Sequence, residues 1–391
     1  MIPDKWLLAI GSLFSFLCLA NAQANIVCYY SSWAVYRPGR GQFEVEFADP
    51  FHCTHFVYAF VGLDWDGTVK ILDPWGDLDD DWGLGQIRRF NELKNLNPNL
   101  KTLVAIGGDS EGSEVFSHVA ANPQLRQVFA QDARRFCLQH GFDGFDVDWE
   151  YPGLRGGDPI NDRQNFVLML RDLREALQPS GLILTAAVAA PQNIAEIVYD
   201  IPAISVHLDL IHLMTYDYNG AWNSDTGHNA PLHSGPADRT DFERTLNVHH
   251  SVSYWLQQGA PANKLIMGIP LYGRNFKLQN SSNNGLRAPA IGPGNVGPYT
   301  GEPGYLAYLE YCPYIQQSWL RFWNDYQKIV YGVSGDQWVG YEDLDTLSYK
   351  CQYIRSRQLG GAMVWSYDQD DFRGTCGEIY PMMKALNRCF N

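Results

Sequence analysis

Basic residues are scarce in this sequence: 29 Lys and Arg stand against 43 Asp and Glu, a formal net charge of −14. So acidic a chain is a poor partner for nucleic acid or for an anionic membrane surface. Charge of either sign is sparse, at 18% of residues, while 46% are hydrophobic. That balance excludes a disordered or low-complexity chain. No C-x-x-C spacing occurs, which argues against zinc ribbons and thioredoxin chemistry. H-E-x-x-H is missing too, so the His249-His250 pair carries no zinc motif. Nothing repeats at a solenoid period. Beyond the N-terminus no apolar run is long enough to span a bilayer.

The first 22 residues read as a signal peptide. Lys5 gives a basic start, Trp6 to Ala20 an apolar stretch, and Ala20-Asn21-Ala22 an A-x-A cleavage site. The expectation is a secreted, extracellular monomer with no membrane span. Cys18 leaves with that segment, and Cys28, Cys53, Cys137, Cys312, Cys351, Cys376 and Cys389 remain. Export favours disulfides, and an odd number leaves one thiol over. Cys137, on an amphipathic helical stretch, is expected to be the buried free thiol.

Eight short apolar segments read as buried strands: Asn25–Tyr30, Thr54–Phe60, Lys101–Ile106, Gly144–Glu150, Leu182–Val188, Leu210–Thr215, Lys264–Gly268 and Gly361–Ser366. Several lack polar alternation, as strands covered on both faces do. Helical spacing lies between most of them. Examples are Ile87, Phe90, Leu93 and Leu96, and the run behind the Asn122-Pro123 cap. Further helices are expected over Phe166 to Leu177, Phe242 to Leu256, and Tyr349 to a stop at Gly360-Gly361. Eight alternations predict an α/β fold, a (β/α)8 TIM barrel. The stretch from about 272 to 341 is too long for one unit and reads as a small α+β insertion between strands 7 and 8. Asp77 to Asp81 reads as a solvated loop. No Cys-rich module follows the eighth unit, so residues 23–391 are expected to form one catalytic domain.

The most informative segment is Phe142-Asp143-Gly144-Phe145-Asp146-Val147-Asp148-Trp149-Glu150-Tyr151-Pro152. On a strand, side chains alternate between faces. Asp146, Asp148 and Glu150 therefore share one face, and Phe145, Val147 and Trp149 the other. Burying three adjacent carboxylates as anions costs several kcal/mol, roughly. Like charges at that spacing push pKa values apart, so at least one group holds its proton near neutrality. A general acid needs that property. Glu150 comes last, at the C-terminal mouth of the barrel. A calcium loop would need Gly and a tight turn where Val147 and Trp149 stand.

This segment resembles the D-x-x-D-x-D-x-E signature of family 18 glycoside hydrolases, the chitinase family, as Asp143, Asp146, Asp148 and Glu150. Cys28-Tyr29-Tyr30-Ser31-Ser32-Trp33, Ala105-Ile106-Gly107-Gly108, Met214-Thr215-Tyr216-Asp217, Tyr272-Gly273-Arg274 and Gly361-Ala362-Met363-Val364-Trp365 match in order. The resemblance covers nearly the whole mature chain and is of the animal, arthropod type. It implies hydrolysis of β-1,4 links between N-acetylglucosamine units, with retention and with no metal or organic cofactor. The substrate's acetamido group, not a carboxylate, would be the nucleophile. The resemblance makes Glu150 the acid and then the base, with Asp148 steadying the acetamido N–H. Asp146 would share a proton with Asp148, and Tyr216 would hold the acetamido oxygen. Met214, Thr215, Asp217 and Tyr151 would sit beside the scissile bond, with Trp365 as the floor under the sugar. Tyr29, Trp33, Pro74, Trp75, Gly107, Gly108, Asp109, Ser110, Trp222, Tyr272 and Arg274 would line a cleft for chitin or chito-oligosaccharides. Disulfides Cys28–Cys53 and Cys312–Cys376 are implied as well. Arithmetic on the remaining cysteines suggests Cys351–Cys389. Asn280-Ser281-Ser282 is a glycosylation sequon in the inserted lobe.

Asp109 departs from the resemblance, which places Trp after Gly107-Gly108. A leaving-group subsite without that ring should bind short oligosaccharides more weakly. Asp109 also adds an acid near Glu150. Gly108-Asp109-Ser110-Glu111-Gly112 matches the G-x-S-x-G nucleophile elbow of esterases, but that reading leaves the carboxylate ladder unexplained. The competing class is a chitin-binding lectin or chitinase-like signalling protein on the same scaffold. Such relatives typically lose the terminal Glu or its Asp partners, and here both stand.

Overall fold

The structure is a computed structural model describing residues 24–390; the expected signal peptide and Cys18 lie outside the described residues. The ring strands are β1 (Asn25–Ser31), β2 (His55–Leu63), β3 (Lys101–Gly107), β4 (Gly144–Asp148), β5 (Ile183–Ala189), β6 (Leu210–Met214), β7 (Leu265–Pro270) and β8 (Gly361–Trp365). Each pairs in parallel with the next, and β8 pairs back with β1, closing a (β/α)8 barrel. Side-chain alternation sorts residues into two cores. Ile26, Cys28, Val104, Ile106, Phe145 and Val147 pack outward under the helices. Val27, Tyr29, Val57, Leu103, Ala105 and Met363 fill the lumen. Both faces are dry, which is why these strands read as unbroken apolar runs.

The helix Pro123–His140 starts as expected: the Asn122 side chain accepts from the Gln124 and Leu125 amides, and Gly141 ends it in a left-handed conformation. Several boundaries differ from the sequence reading, and three of these shape the surroundings of the barrel ends. The fourth strand stops at Asp148, two residues short of Glu150. The helix expected from Phe242 begins at Val248, where the Asn247 side chain accepts from the His250 amide, and Phe242 is left exposed. The helix before β8 runs Leu344–Ser356, capped by Asp343, and ends before the glycines. Gly360 instead enters β8, its amide donating to the Ala262 and Leu265 carbonyls at 2.9 Å.

Asp77 is no solvated loop residue. It closes the short helix Pro74–Asp77, is 2% exposed and accepts a hydrogen bond from Tyr58. Burial lifts its pKa to about 6, against the pull of that hydrogen bond.

Between β7 and β8 lies a six-stranded antiparallel sheet. Tyr272–Leu278 pairs with Ala290–Pro293, Tyr305–Ala307 and Gln337–Tyr341. Ile329–Ser334 and Leu320–Asn324 extend it. With the helix Tyr308–Gln317 this is the α+β insertion, packed around Phe276, Leu278, Val333 and Trp338. Disulfides join Cys28 to Cys53, Cys312 to Cys376 and Cys351 to Cys389. Cys137 is buried and, among the described residues, forms no disulfide.

The lobe is pinned to the helix Leu344–Ser356 by a dry ion pair between Lys350 and Glu342, at 0% and 1% side-chain exposure. Thr346 donates to Glu342 at 2.6 Å. Lys350→Met strands that carboxylate and is expected to cost about 3–5 kcal/mol. Adding Glu342→Leu should recover most of the loss, read as the midpoint of denaturant unfolding.

Candidate active site

The β4 strand sets the centre. Asp146 and Asp148 point into the lumen, 0% and 3% exposed, while Phe145 and Val147 point outward. Alternation persists past the strand end. Trp149 is wedged in the outer layer, stacked 5.4 Å from Phe116 and edge-on 5.7 Å from Phe166. Its indole N–H donates to the Ser113 hydroxyl at 2.9 Å. That anchor holds the next residue, half-buried Glu150, on the lumen side at the mouth.

Below, Asp146 is saturated with partners. Tyr29 donates to one oxygen at 2.7 Å and Thr185 to the other at 2.5 Å. His212 Nδ1 lies 2.9 Å from the Tyr29 oxygen and 3.3 Å from Asp146. Tyr29, expected to line the cleft, is 1% exposed and braces the base of the stack instead. Asp148 differs: its Oδ1 is buried with no hydrogen-bond partner among the described residues. Burial, and then the charges of Glu150, Asp146 and Asp109, drive its pKa well up. An orphan acceptor is costly to an anion, so the site disfavours the charged form of this carboxyl. Glu150 sits at about 7. Burial is the main cause; hydrogen bonding from Tyr151 pulls it down, Asp109 up, Arg155 down and Asp217 up.

The backbone under the acids is tight. Gly107 and Gly108 take φ values of +109° and +84°. A Cβ on Gly107 would lie 2.1 Å from the Asp148 carbonyl oxygen, and one on Gly108 2.6 Å from the Phe60 ring. Only glycine lets β3 pass this close to the acids. The Gly108 amide donates to the Asp148 carbonyl at 2.9 Å.

Trp365 ends β8, half-buried, 5.4 Å from Tyr29. Phe60 stacks on it at 5.8 Å, and Trp33, 43% exposed, stacks on Phe60 at 6.0 Å. Tyr216 is buried beside Tyr272, its hydroxyl 3.8 Å from the Met363 sulfur. Met214 ends β6, 9% exposed. On the lobe side Arg274 donates to Asp217 at 2.7 Å. Its guanidinium lies 5.2 Å from the centre of Trp222, 5.3 Å from Tyr272 and 5.1 Å from Tyr305.

Not every expected residue faces this centre. Thr215 is fully buried, and its hydroxyl donates to the Gly268 carbonyl at 2.7 Å, so it ties β6 to β7. Pro74 and Trp75 stand apart on the helix Pro74–Asp77, with Trp75 stacked 6.3 Å from Tyr36. Ser110 is exposed in a turn ahead of the helix Glu114–Ala121, not at its start as an elbow requires. Tyr151 is half-buried next to Glu150. Asp109 is 81% exposed and gripped by Arg155, which donates to its carboxylate at 2.5 Å and its carbonyl at 2.7 Å. An ion pair thus stands where the resemblance expected a ring.

Sequence reasoning missed Thr185, His212, Phe60, Tyr305 and Arg155. Thr185 and His212 left one signal, single polar residues inside apolar strands.

Residues 25–370 match glycosyl hydrolases family 18. The chain is 40% identical over 393 residues to Probable chitinase 2 of Drosophila melanogaster, across 96% of this chain and 79% of that protein. The crystal structure of Ostrinia furnacalis Group IV chitinase in complex with allosamidin is similar with a TM-score of 0.91 and 43% identity, covering 93% of this chain and 98% of that one. Human YKL-39, a pseudo-chitinase with retained chitooligosaccharide binding properties, is similar with a TM-score of 0.86 and 35% identity, over 94% and 99%. The chain belongs to glycosyl hydrolases family 18, with Asp146 and Asp148 of the family signature buried inside its barrel and Glu150 at the mouth.

Proposed function

We propose that the protein is a secreted chitinase that hydrolyses β-1,4-linked N-acetylglucosamine polymers with retention, by substrate-assisted catalysis. The observation that carries this reading is Glu150, held at about 7 above two buried carboxylates. Such a group both gives and takes a proton near neutral pH. In the first step Glu150 protonates the glycosidic oxygen, the bond from that oxygen to C1 breaks, and the acetamido carbonyl oxygen bonds to C1. Asp148 steadies the acetamido N–H as positive charge develops there, and Tyr216 donates to the acetamido oxygen. In the second step the Glu150 carboxylate takes a proton from water as the water oxygen displaces the acetamido oxygen. Two inversions at C1 give retention. Three disulfides support export to an oxidising compartment. The likeness to YKL-39 favours a second reading, oligosaccharide binding without turnover; the intact Asp148 and Glu150 weigh against it.

Glu150→Gln is expected to cut hydrolysis of an N-acetylglucosamine hexamer by roughly 10²- to 10⁴-fold while binding persists. Ser110→Ala should change little. Anomer analysis of the wild-type products by NMR should show the β form first; α product would overturn the retaining mechanism.

The acting form of Glu150 in the first step is protonated, so kcat/KM should fall as pH rises through about 7. Arg155 lowers that pKa and Asp109 raises it. Arg155→Gln should therefore move the alkaline limb to higher pH and Asp109→Asn to lower pH. A limb fixed in both variants would refute the electrostatic account.

Asp109→Trp should lower KM for the hexamer about two- to tenfold by supplying a stacking face. Unchanged KM would mean that another group already covers that sugar.

A further inference from the structure

Ser366 follows Trp365 out of β8 and is fully buried. Its hydroxyl accepts from the Ser31 hydroxyl at 3.1 Å and from the Gln369 side-chain amide at 2.8 Å. Ser31 closes β1, and Gln369 closes the short 3₁₀ helix Tyr367–Gln369 that leads away from β8. The other end of the Gln369 amide, Oε1, accepts from the Tyr305 hydroxyl at 2.6 Å. Tyr305 belongs to the inserted lobe. Four buried, uncharged side chains thus form one run of hydrogen bonds from the lobe to the seam where β8 meets β1.

Packing alone does not call for these groups. Tyr305 stacks on Tyr272 at 4.4 Å and 14°, and Phe would stack as well; the hydroxyl is the part with a separate partner. Gln369 stands between Asp368 and Asp370, and it is the member of that run able to accept from Tyr305 and donate to Ser366 at once. Asp368 is engaged elsewhere, by Arg37 at 2.6 Å and the Ser31 amide at 3.1 Å. Asp370 accepts from the Met383 amide at 2.9 Å. Breaking the Tyr305–Gln369 bond would strand a buried acceptor.

Trp365 is the residue these tethers surround. Its carbonyl accepts from the Leu271 amide at 2.8 Å, and the Leu271 carbonyl accepts from the amide of Tyr308, which opens the lobe helix, at 2.8 Å. Its ring lies 5.4 Å from that of Tyr29, which donates to Asp146. On the other side of Tyr305, the Arg274 guanidinium lies 5.1 Å from the ring centre and donates to Asp217 at 2.7 Å. A continuous path runs from Asp217 at the mouth, through the lobe, to the residue next to Trp365.

We propose that Tyr305 and Gln369 are positioning residues: their hydrogen bond latches the lobe to the barrel and fixes the Trp365 ring beneath the sugar that reacts at Glu150. The proposal rests on the chitinase reading above and adds to it the requirement that floor and lobe wall be held as one body. Neither residue hydrogen-bonds to the acids, so both act through Trp365. The other groups at the mouth still hold a hexamer when one ring moves, whereas a displaced floor misaligns the reacting carbon. Loss therefore falls on kcat more than on KM.

The test is a double-mutant cycle of Tyr305→Phe and Gln369→Leu on the N-acetylglucosamine hexamer, with crystal structures of wild type and Tyr305→Phe. Each single variant should lower kcat about three- to thirtyfold and keep KM within about twofold. The double variant should be no slower than Gln369→Leu, because the bond is already broken there. In the crystals the Trp365 ring should shift or spread in Tyr305→Phe. Wild-type kcat in Tyr305→Phe, losses that multiply in the double variant, or a rise in KM at constant kcat overturns the latch. If Gln369→Leu does not fold, Ser366→Ala takes its place in the cycle. A wild-type protein that leaves the hexamer intact overturns the chitinase reading instead, and the Trp365 ring in the two crystals then decides the latch: a shifted ring upholds it and an unmoved ring overturns it.

Discussion

A dry barrel cannot hold a column of carboxylates unless each one is either neutral or fully partnered, and the lumen around β4 is arranged to meet that demand. The two buried members meet it in opposite ways. Asp146 has donors on both oxygens, Tyr29 and Thr185, with His212 behind them. Asp148, one position nearer the mouth, has an oxygen with no partner among the described residues, and burial with the charges around it raises its pKa. Glu150 is less enclosed and is balanced between charges that raise and lower its pKa, ending near neutrality. The gradient from a saturated base to a poised tip follows from depth in the barrel. Its sign for stability is set by the raised values. Folding favours the protonated forms, so the contribution is full below the unfolded carboxylate range and is lost as pH rises through about 7 for Glu150.

The rest of the fold serves that column. Trp149 fixes Glu150 from the opposite face by packing between Phe116 and Phe166. Gly107 and Gly108 bring β3 against the Asp148 carbonyl. The inserted lobe returns Arg274 to Asp217 and places its guanidinium among three rings. This links the loop after β6 to the lobe sheet. The lobe is thereby one wall of the mouth, held by charge at the site and by the Lys350–Glu342 pair at the back.

Much of this was legible because alternation and burial follow from local rules. Short apolar segments, several of them unbroken, located all eight strands, and the period of two put Asp146 and Asp148 on one face with Trp149 on the other. The Glu150 register holds although the strand itself stops at Asp148, since the Trp149 anchor takes over from the ladder. What was hidden depends on long-range contact. Arg155 reaches Asp109 from a loop where it takes a left-handed φ of +52°, and nothing in the spacing of Tyr151 to Asp158 announces that. Thr185 and His212 stand out as polar residues in apolar strands, yet only ring closure shows that both meet Asp146. Phe60 and Tyr305 could not be ranked among 19 Phe and 22 Tyr. Asp77 looked solvated because four acids crowd its segment; its burial under Tyr58 comes from a turn that composition does not encode.

The Asp109–Arg155 pair bears on the choice between enzyme and lectin. A binding protein gains nothing from a carboxyl held near neutrality, because a proton in transit serves turnover and not affinity. If this scaffold had drifted toward binding alone, relaxation would be expected first at the groups that tune the acid. Instead the exposed position that lacks a stacking ring carries an acid that raises the Glu150 pKa, matched by a base that lowers it. The pair offers no apolar ring face and keeps two opposed charges beside Glu150, the proton donor proposed above. That exchange is costly for a lectin, whose affinity rests on ring faces, and harmless for a hydrolase of the proposed mechanism, whose rate would rest on the protonation state of Glu150.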